Sequence, residues 1–234
     1  MANVALPDNA VAPGDFLRSV EDDGFAVVPS CVDEKTLERL GSKLSDNSYA
    51  MRNLLAMPIV RELARSDAVR TLAEAVLGKN CFGVKGTFFN KTRESNWKVV
   101  WHQDLTVMVR ERKEVLGFGR WTVKSGIVHV QPPADVMSRI LALRLHLDES
   151  GEENGPLRVI PHSHKQGRLS PKEVAEWQKK DSVTCTIPRS GVLLMRPLLL
   201  HASSACVVPK SRRVIHLEFA ANDLPDGLEW YDRV

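Results

Sequence analysis

Residues 140–148 read Ile-Leu-Ala-Leu-Arg-Leu-His-Leu-Asp. Leu141, Leu143, Leu145 and Leu147 fall on one side of an extended chain, and Ala142, Arg144, His146 and Asp148 on the other. Side chains of a β-strand alternate between the two faces of its sheet, so this stretch predicts a strand with one apolar and one polar face. Residues 212–219 repeat the pattern, with Arg213, Ile215, Leu217 and Phe219 opposed to Arg212, Val214, His216 and Glu218. Two such strands need a packed layer against their leucines. Their polar faces turn either to bulk water or to a wet pocket, and alternation alone does not choose.

Working outward, the chain from Cys81 onward is a series of short β-type runs separated by Gly, Pro and Asn. They are CFGVKGTFFNK, WKVVWHQDLTVMV, SGIVHVQ, the 140–148 stretch, GPLRVIP, SVTCTIP, GVLLMRP and RRVIHLEFA. Runs of this length and spacing predict a β-sandwich or barrel. The run VLLMRPLLLH reads as one buried strand, and PKEVAEWQKK as a helical insertion. The first third is helical by contrast. A short helix is expected over Pro13–Val20 and a strand within Gly24–Val32. Asp33 reads as the N-cap of a helix carrying Leu37, Leu40 and Leu44, and one further helix runs from about Ile59 to Leu77 before Gly78.

Composition removes several function classes. The 32 Lys+Arg against 29 Asp+Glu leave a formal charge of +3, with no basic run to suggest nucleic acid or an anionic membrane. Cys31, Cys81, Cys185 and Cys206 are widely spaced, without zinc-type pairing, which fits reduced thiols in a cytoplasm. The first fifteen residues lack the pattern of a signal peptide, and no apolar stretch reaches the ~20 residues needed to span a bilayer. The expected partner is a small-molecule substrate, with the chain a monomer or homodimer.

Chemistry concentrates at Trp101-His102-Gln103-Asp104. Residues i and i+2 of a strand share a face, so His102 and Asp104 can offer a nitrogen and a carboxylate to one metal. Two imidazoles and one carboxylate on one face of an octahedron suit iron(II), leaving positions open for a chelating keto acid and dioxygen. The third ligand expected is His201, which follows the apolar run ending at Leu200. Arg212 lies eleven residues beyond His201, and a guanidinium grips a carboxylate through two bonds. Ser203 shares the face of His201 and can add a hydrogen bond. Arg144 and His146 are candidate substrate contacts, as is Trp101 as an aromatic wall; His129, His216 and Trp97 are further pocket candidates.

Taken together, HxD at 102–104, NGPLRVIPHSH at 154–164, HASS at 201–204 and the Arg at 212 resemble the phytanoyl-CoA dioxygenase family of iron(II)/2-oxoglutarate oxygenases. The resemblance runs from about Gly24 to Phe219. It implies a double-stranded β-helix, a cupin-like jelly-roll barrel, over about 81–221, supported by helices over about 1–80, in one oxygenase domain spanning 1–234. It also implies Fe(II) on His102, Asp104 and His201. 2-Oxoglutarate would be held by Arg212 and Ser203, with Lys85 as a further contact. The implied reaction uses O2 and yields succinate and CO2 while a small molecule is oxidised, commonly by hydroxylation. An Asp at 104, rather than a small residue, argues against halogenation. The sequence departs from the family at Pro161-His162-Ser163-His164, where Pro-Gly-Ser-His is usual, and leaves open whether Arg212 or Arg213 faces the pocket. Competing readings are a non-oxidative metal-dependent isomerase or hydrolase on a cupin-like barrel, and a non-catalytic binding protein of the same fold.

Overall fold

The computed structural model describes residues 15–44, 50–92, 96–207 and 211–234. In chain order the strands are β1 (Phe25–Val28), β2 (Ala50–Arg52), β3 (Phe82–Lys91), β4 (Val99–His102), β5 (Val107–Val109), β6 (Gly119–Lys124) and β7 (Ile127–Gln131). They continue with β8 (Ile140–His146), β9 (Leu157–Ile160), β10 (Val183–Cys185), β11 (Val192–Met195), β12 (Leu200–Ser203) and β13 (Arg212–Ala220). Helices are α1 (Phe16–Asp22), α2 (Glu34–Lys43), α3 (Pro58–Arg65), α4 (Asp67–Leu77), α5 (Ala134–Ser138) and α6 (Pro171–Trp177). Of the expected first helix, Pro13 lies outside the described residues.

The strands form a six-stranded sheet ordered β1-β11-β8-β13-β3-β2, a four-stranded sheet ordered β10-β9-β12-β4 and a three-stranded sheet ordered β5-β7-β6. The first two face one another in the jelly-roll manner. They remain separate sheets rather than a continuously hydrogen-bonded cylinder. Alternation in β8 and β13 sorts their side chains as the sequence predicts. Leu141, Leu143, Leu145, Ile215, Leu217 and Phe219 turn outward into one cluster with Leu37, Leu40, Leu63, Val69 and Leu72 of the N-terminal helices. Full burial of each such side chain stabilises by ~1.5–3 kcal/mol, so this layer fixes the large sheet to its helical support. Inward, Ala142, Leu193 and Met195 meet Leu157, Val159 and Cys185 and close one end of the space between the sheets.

Several boundaries differ from expectation. The Ile59–Leu77 helix is two helices, because Ser66 is extended (φ −66°, ψ 148°) and its hydroxyl donates to the Leu63 carbonyl at 2.7 Å. VLLMRPLLLH is two strands in different sheets, β11 and β12, joined by a turn in which Leu199 N–H bonds Arg196 O at 2.9 Å. Pro197 at that turn has no N–H to continue a ladder. WKVVWHQDLTVMV likewise splits into β4 and β5, with Asp104 N–H donating to Pro197 O at 2.9 Å instead of to a strand partner. Strand β6 had no readable signal: its residues are mostly exposed and Arg120 has φ 51°. Asp33 does cap α2, accepting from Thr36 N–H at 2.7 Å. No described helix is long and apolar enough to cross a membrane, and all four cysteines are free.

Candidate metal centre

Strands β4 and β12 pair antiparallel with His102 directly opposite His201, and their ring centroids lie 4.2 Å apart. Asp104, just beyond the end of β4, reaches back so that its carboxylate is 3.9 Å from His102 Nε2 and 3.8 Å from His201 Nε2. One donor atom from each residue lies within 4.8 Å of the others. Gln103 between them points the opposite way and acts as a buried peg. Its amide donates to Gly167 O at 2.8 Å and Leu198 O at 2.6 Å, and its carbonyl accepts from Leu169 N–H at 2.8 Å. Sequence reasoning missed Gln103, although a polar residue between two ligands on the opposite face of a strand is a readable cue.

Orientation and protonation both suit a cation. His102 Nδ1–H donates to Val100 O at 2.9 Å and His201 Nδ1–H to Leu199 O at 2.8 Å, leaving each Nε2 lone pair for the site. Burial pushes His201 down to about 4, so its ring is neutral near pH 7. Burial opposes ionisation of Asp104, but the field of His201, His216, Lys85 and His102 prevails and holds its carboxyl below the usual carboxylate range. Two imidazole nitrogens and a carboxylate fit a first-row divalent metal. Asp104, His216 and Glu218 also come within 4.8 Å of one another. However, Glu218 is taken by Lys85 at 2.6 Å and His216 Nδ1 by Arg144 at 2.9 Å, so the first trio is the one with free donors.

The ligands open onto a cavity of about 140 Å³ between the two large sheets. Its floor is a ladder of rungs across β3, β13 and β8. Lys91 stands opposite Arg212, and Phe89 opposite Val214 opposite His146. Next come Thr87, His216 and Arg144, then Lys85, Glu218 and Ala142. Lys85, Arg144, Ser203 and Arg212 line the cavity with the three candidate ligands. Arg213 turns away and binds Asp148 through two bonds of 2.9 and 2.7 Å, so Arg212 is the arginine that faces inward. Arg144, whose guanidinium is pushed down to about 10 by burial and by Arg212, lies 5.4 Å from the Phe89 ring centre.

Three expected contacts fall elsewhere. Trp101 packs with Ile160, Leu169 and Leu200 on the outer face of the small sheet, because adjacent strand residues point oppositely and His102 points in. Trp97 is the tryptophan on the cavity wall. His146 shares the inward face of β8 but is buried off the cavity, and neither ring nitrogen has a hydrogen-bond partner among the described residues. His129 is in the three-stranded sheet and bonds Ile127 O at 3.0 Å. His162 adopts the left-handed conformation, φ 66°, that glycine would favour at the family's turn. Lys91, Thr87 and Phe89 of the wall were not foreseen.

Residues 43–214 match the family described as phytanoyl-CoA dioxygenase (PhyH). The chain belongs to the phytanoyl-CoA dioxygenase family. Among solved structures, this family member resembles EctD from S. alaskensis with 2-oxoglutarate and 5-hydroxyectoine, at 19% identity and a TM-score of 0.67 over 94% of this chain and 79% of that one. It also resembles the non-heme alpha ketoglutarate dependent epimerase SnoN from nogalamycin biosynthesis, at 15% identity and TM-score 0.66 over 93% and 92%. Against EvdMO1, at 21% identity and TM-score 0.65, it aligns over 88% of its own length but spans only about half, 49%, of that chain. At these identities the likeness carries the fold. No curated protein sequence matches the chain significantly.

Proposed function

We propose that this family member is an iron(II)/2-oxoglutarate-dependent oxygenase acting on a small molecule, with hydroxylation as its outcome. One observation carries the reading. Two imidazoles with their Nε2 atoms free and an ionised carboxylate converge at one end of a cavity whose other end is cationic. His102, Asp104 and His201 are the residues to hold iron, and their donor set leaves one face of the metal for the co-substrate and dioxygen. Iron bound there supplies the activation of O2 that accompanies oxidative decarboxylation of 2-oxoglutarate to succinate and CO2. Arg212 and Ser203 both line this cavity, which supports them as the contacts for the distal carboxylate of that co-substrate. Arg144 is the candidate for an anionic group of the primary substrate: it is buried, among the described residues its hydrogen-bond partner is the ring of His216 and no carboxylate pairs with it, and its Nε–H has no partner there. The solved EctD structures include one with bound Fe and one with 2-oxoglutarate, which supports this assignment on a shared fold. Free cysteines support a reducing, cytoplasmic setting.

The test is anaerobic titration of the protein with iron(II) and 2-oxoglutarate, followed by visible absorption. Chelation of the metal by the keto acid is expected to produce a charge-transfer band, lost in Asp104→Ala and weakened in Arg212→Leu. Iron binding with no such band would sink the oxygenase reading and favour a non-oxidative metal enzyme. Because SnoN is an epimerase, the fold alone does not select hydroxylation. Mass analysis of the product, searching for one added oxygen, decides that point.

A further inference from the structure

At the end of the cavity away from the metal ligands, two cations share one rung. Lys91 and Arg212 are directly opposed on β3 and β13, both line the cavity, and they are only 1% and 4% exposed. Like charges directly opposite on a sheet are destabilising, and each buried cation has also lost its water. Elsewhere on these strands a cation meets a carboxylate: Lys85 meets Glu218, and Arg213 meets Asp148. No carboxylate pairs with Lys91 or Arg212 among the described residues. Their partners are neutral. Lys91 Nζ donates to Ser203 Oγ at 3.1 Å and Ser204 O at 2.8 Å, and lies 5.5 Å from the centre of the Trp97 ring. Arg212 donates to Gly155 O and keeps a buried Nε–H without a partner. Burial, then the charge of Arg212, push the Lys91 amine down to about 8, a cost that an anion on this rung would relieve.

We propose that Lys91 is the third arm of the co-substrate site, gripping with Arg212 and Ser203 the distal carboxylate of a 2-oxo dicarboxylate. The proposal rests on the oxygenase reading above and relocates the lysine that the family resemblance suggested. Lys85 stands on the Glu218 rung, six residues from Arg212 along β13. At ~3.3 Å per residue that is roughly 20 Å, too far for both to hold one carboxylate. Lys91 instead reaches the hydroxyl of Ser203 from the opposite sheet, so ammonium, hydroxyl and guanidinium enclose one anion from three sides. Such a cup selects a keto acid with a second negative charge over one that ends in a methyl group.

The test compares two keto acids, 2-oxoglutarate and 2-oxobutyrate, which lacks the distal carboxylate. Dissociation constants are read from the anaerobic iron(II) charge-transfer band for the wild type, Lys91→Gln and Lys91→Arg. Gln keeps a donor for Ser204 O and removes the charge. Loss of one charge-assisted bond should weaken 2-oxoglutarate by about tenfold or more, while 2-oxobutyrate changes less than about twofold. Lys91→Arg should recover most of the loss. Equal weakening of both acids in Lys91→Gln assigns Lys91 to holding the loop and overturns the proposal, as does unchanged binding of 2-oxoglutarate. Should Lys91→Gln fail to fold, Lys91→Arg decides alone: retained preference for the dicarboxylate supports the third arm, and its loss to the level of Arg212→Leu with folding intact refutes it. Wild-type protein that gives no band with either acid would instead refute the oxygenase reading.

Discussion

Gln103 anchors the stretch that carries two candidate donors. It sits between His102 and Asp104 with its amide tied to Gly167, Leu198 and Leu169, so the direction of both donors depends on a side chain facing away from them. Gln103→Leu should lower iron or cobalt affinity by about 10–100-fold, the usual loss when a supporting contact of a metal ligand is removed. It should also cost ~1–3 kcal/mol by leaving Leu169 N–H and two carbonyls unsatisfied. Metal titration and urea unfolding measure the two effects, and affinity unchanged within twofold would show that the pairing of β4 with β12 suffices. Arg144→Leu separates substrate from co-substrate at the same scale. The keto-acid band should persist with little change, while substrate-dependent succinate release falls; loss of the band would transfer Arg144 to the co-substrate.

Among the elements, the entry to β1 is tightly constrained. Gly24 has φ +91°, and a Cβ there would lie 2.4 Å from His164 Nδ1 and 2.8 Å from Leu199 Cδ1. Gly24→Ala should therefore destabilise by about 1–3 kcal/mol in a urea melt, through strain at positive φ and forced movement of both neighbours. A variant as stable as the wild type would show that the turn at His162–His164 yields. That packing joins β1 to a turn some 140 residues away (Asp22 O accepts from His162 Nδ1), and nothing in the local pattern announces it. The period-two runs of β8 and β13 were legible because each strand has one apolar and one polar face. Breaks were harder to read: Ser66 divides α3 from α4, and Pro197 sends β11 and β12 into different sheets, although hydrophobicity continues across both points. That His102, Asp104, His201, Ser203 and Arg212 share one cavity was legible from spacing and residue chemistry. Lys91 was not, because its meaning lies in a cross-strand register with Arg212 across more than a hundred residues of chain. Trp97 and Trp101 flank the motif and both read as a wall, but strand alternation from His102 turns Trp101 outward, and of the two only Trp97 lines the cavity.

For the whole molecule, burial of ionisable groups sets the direction of its response to acid. His201 is pushed from an ordinary 6.5 to about 4, His146 well below 6.5, and His216 is lowered too, in each case first by burial. The unfolded chain takes up protons on these rings as pH falls below about 6.5, while the folded chain resists, His201 until nearer 4 and the other two in the same direction. Stability present above about 6.5 is thus lost progressively through that window, in the same sense as for the lowered carboxyl of Asp104. The urea midpoint of metal-free protein should drop between pH 7 and pH 5; a flat or rising midpoint would mean the rings are hydrated in solution. The order of the small sheet carries a kinetic consequence as well. Strand β4 is its outermost member, hydrogen-bonded on one side to β12, whereas β12 is flanked on both sides. His102 therefore rides on an edge strand that can fray locally, with Asp104 just past its end, while His201 sits on a strand paired on both sides. Release of an ion held by these residues would then be a local peeling event, with His201 expected to be the last donor to let go. Its off-rate should follow amide exchange at residues 99–104 and stay indifferent to additives that only slow global unfolding.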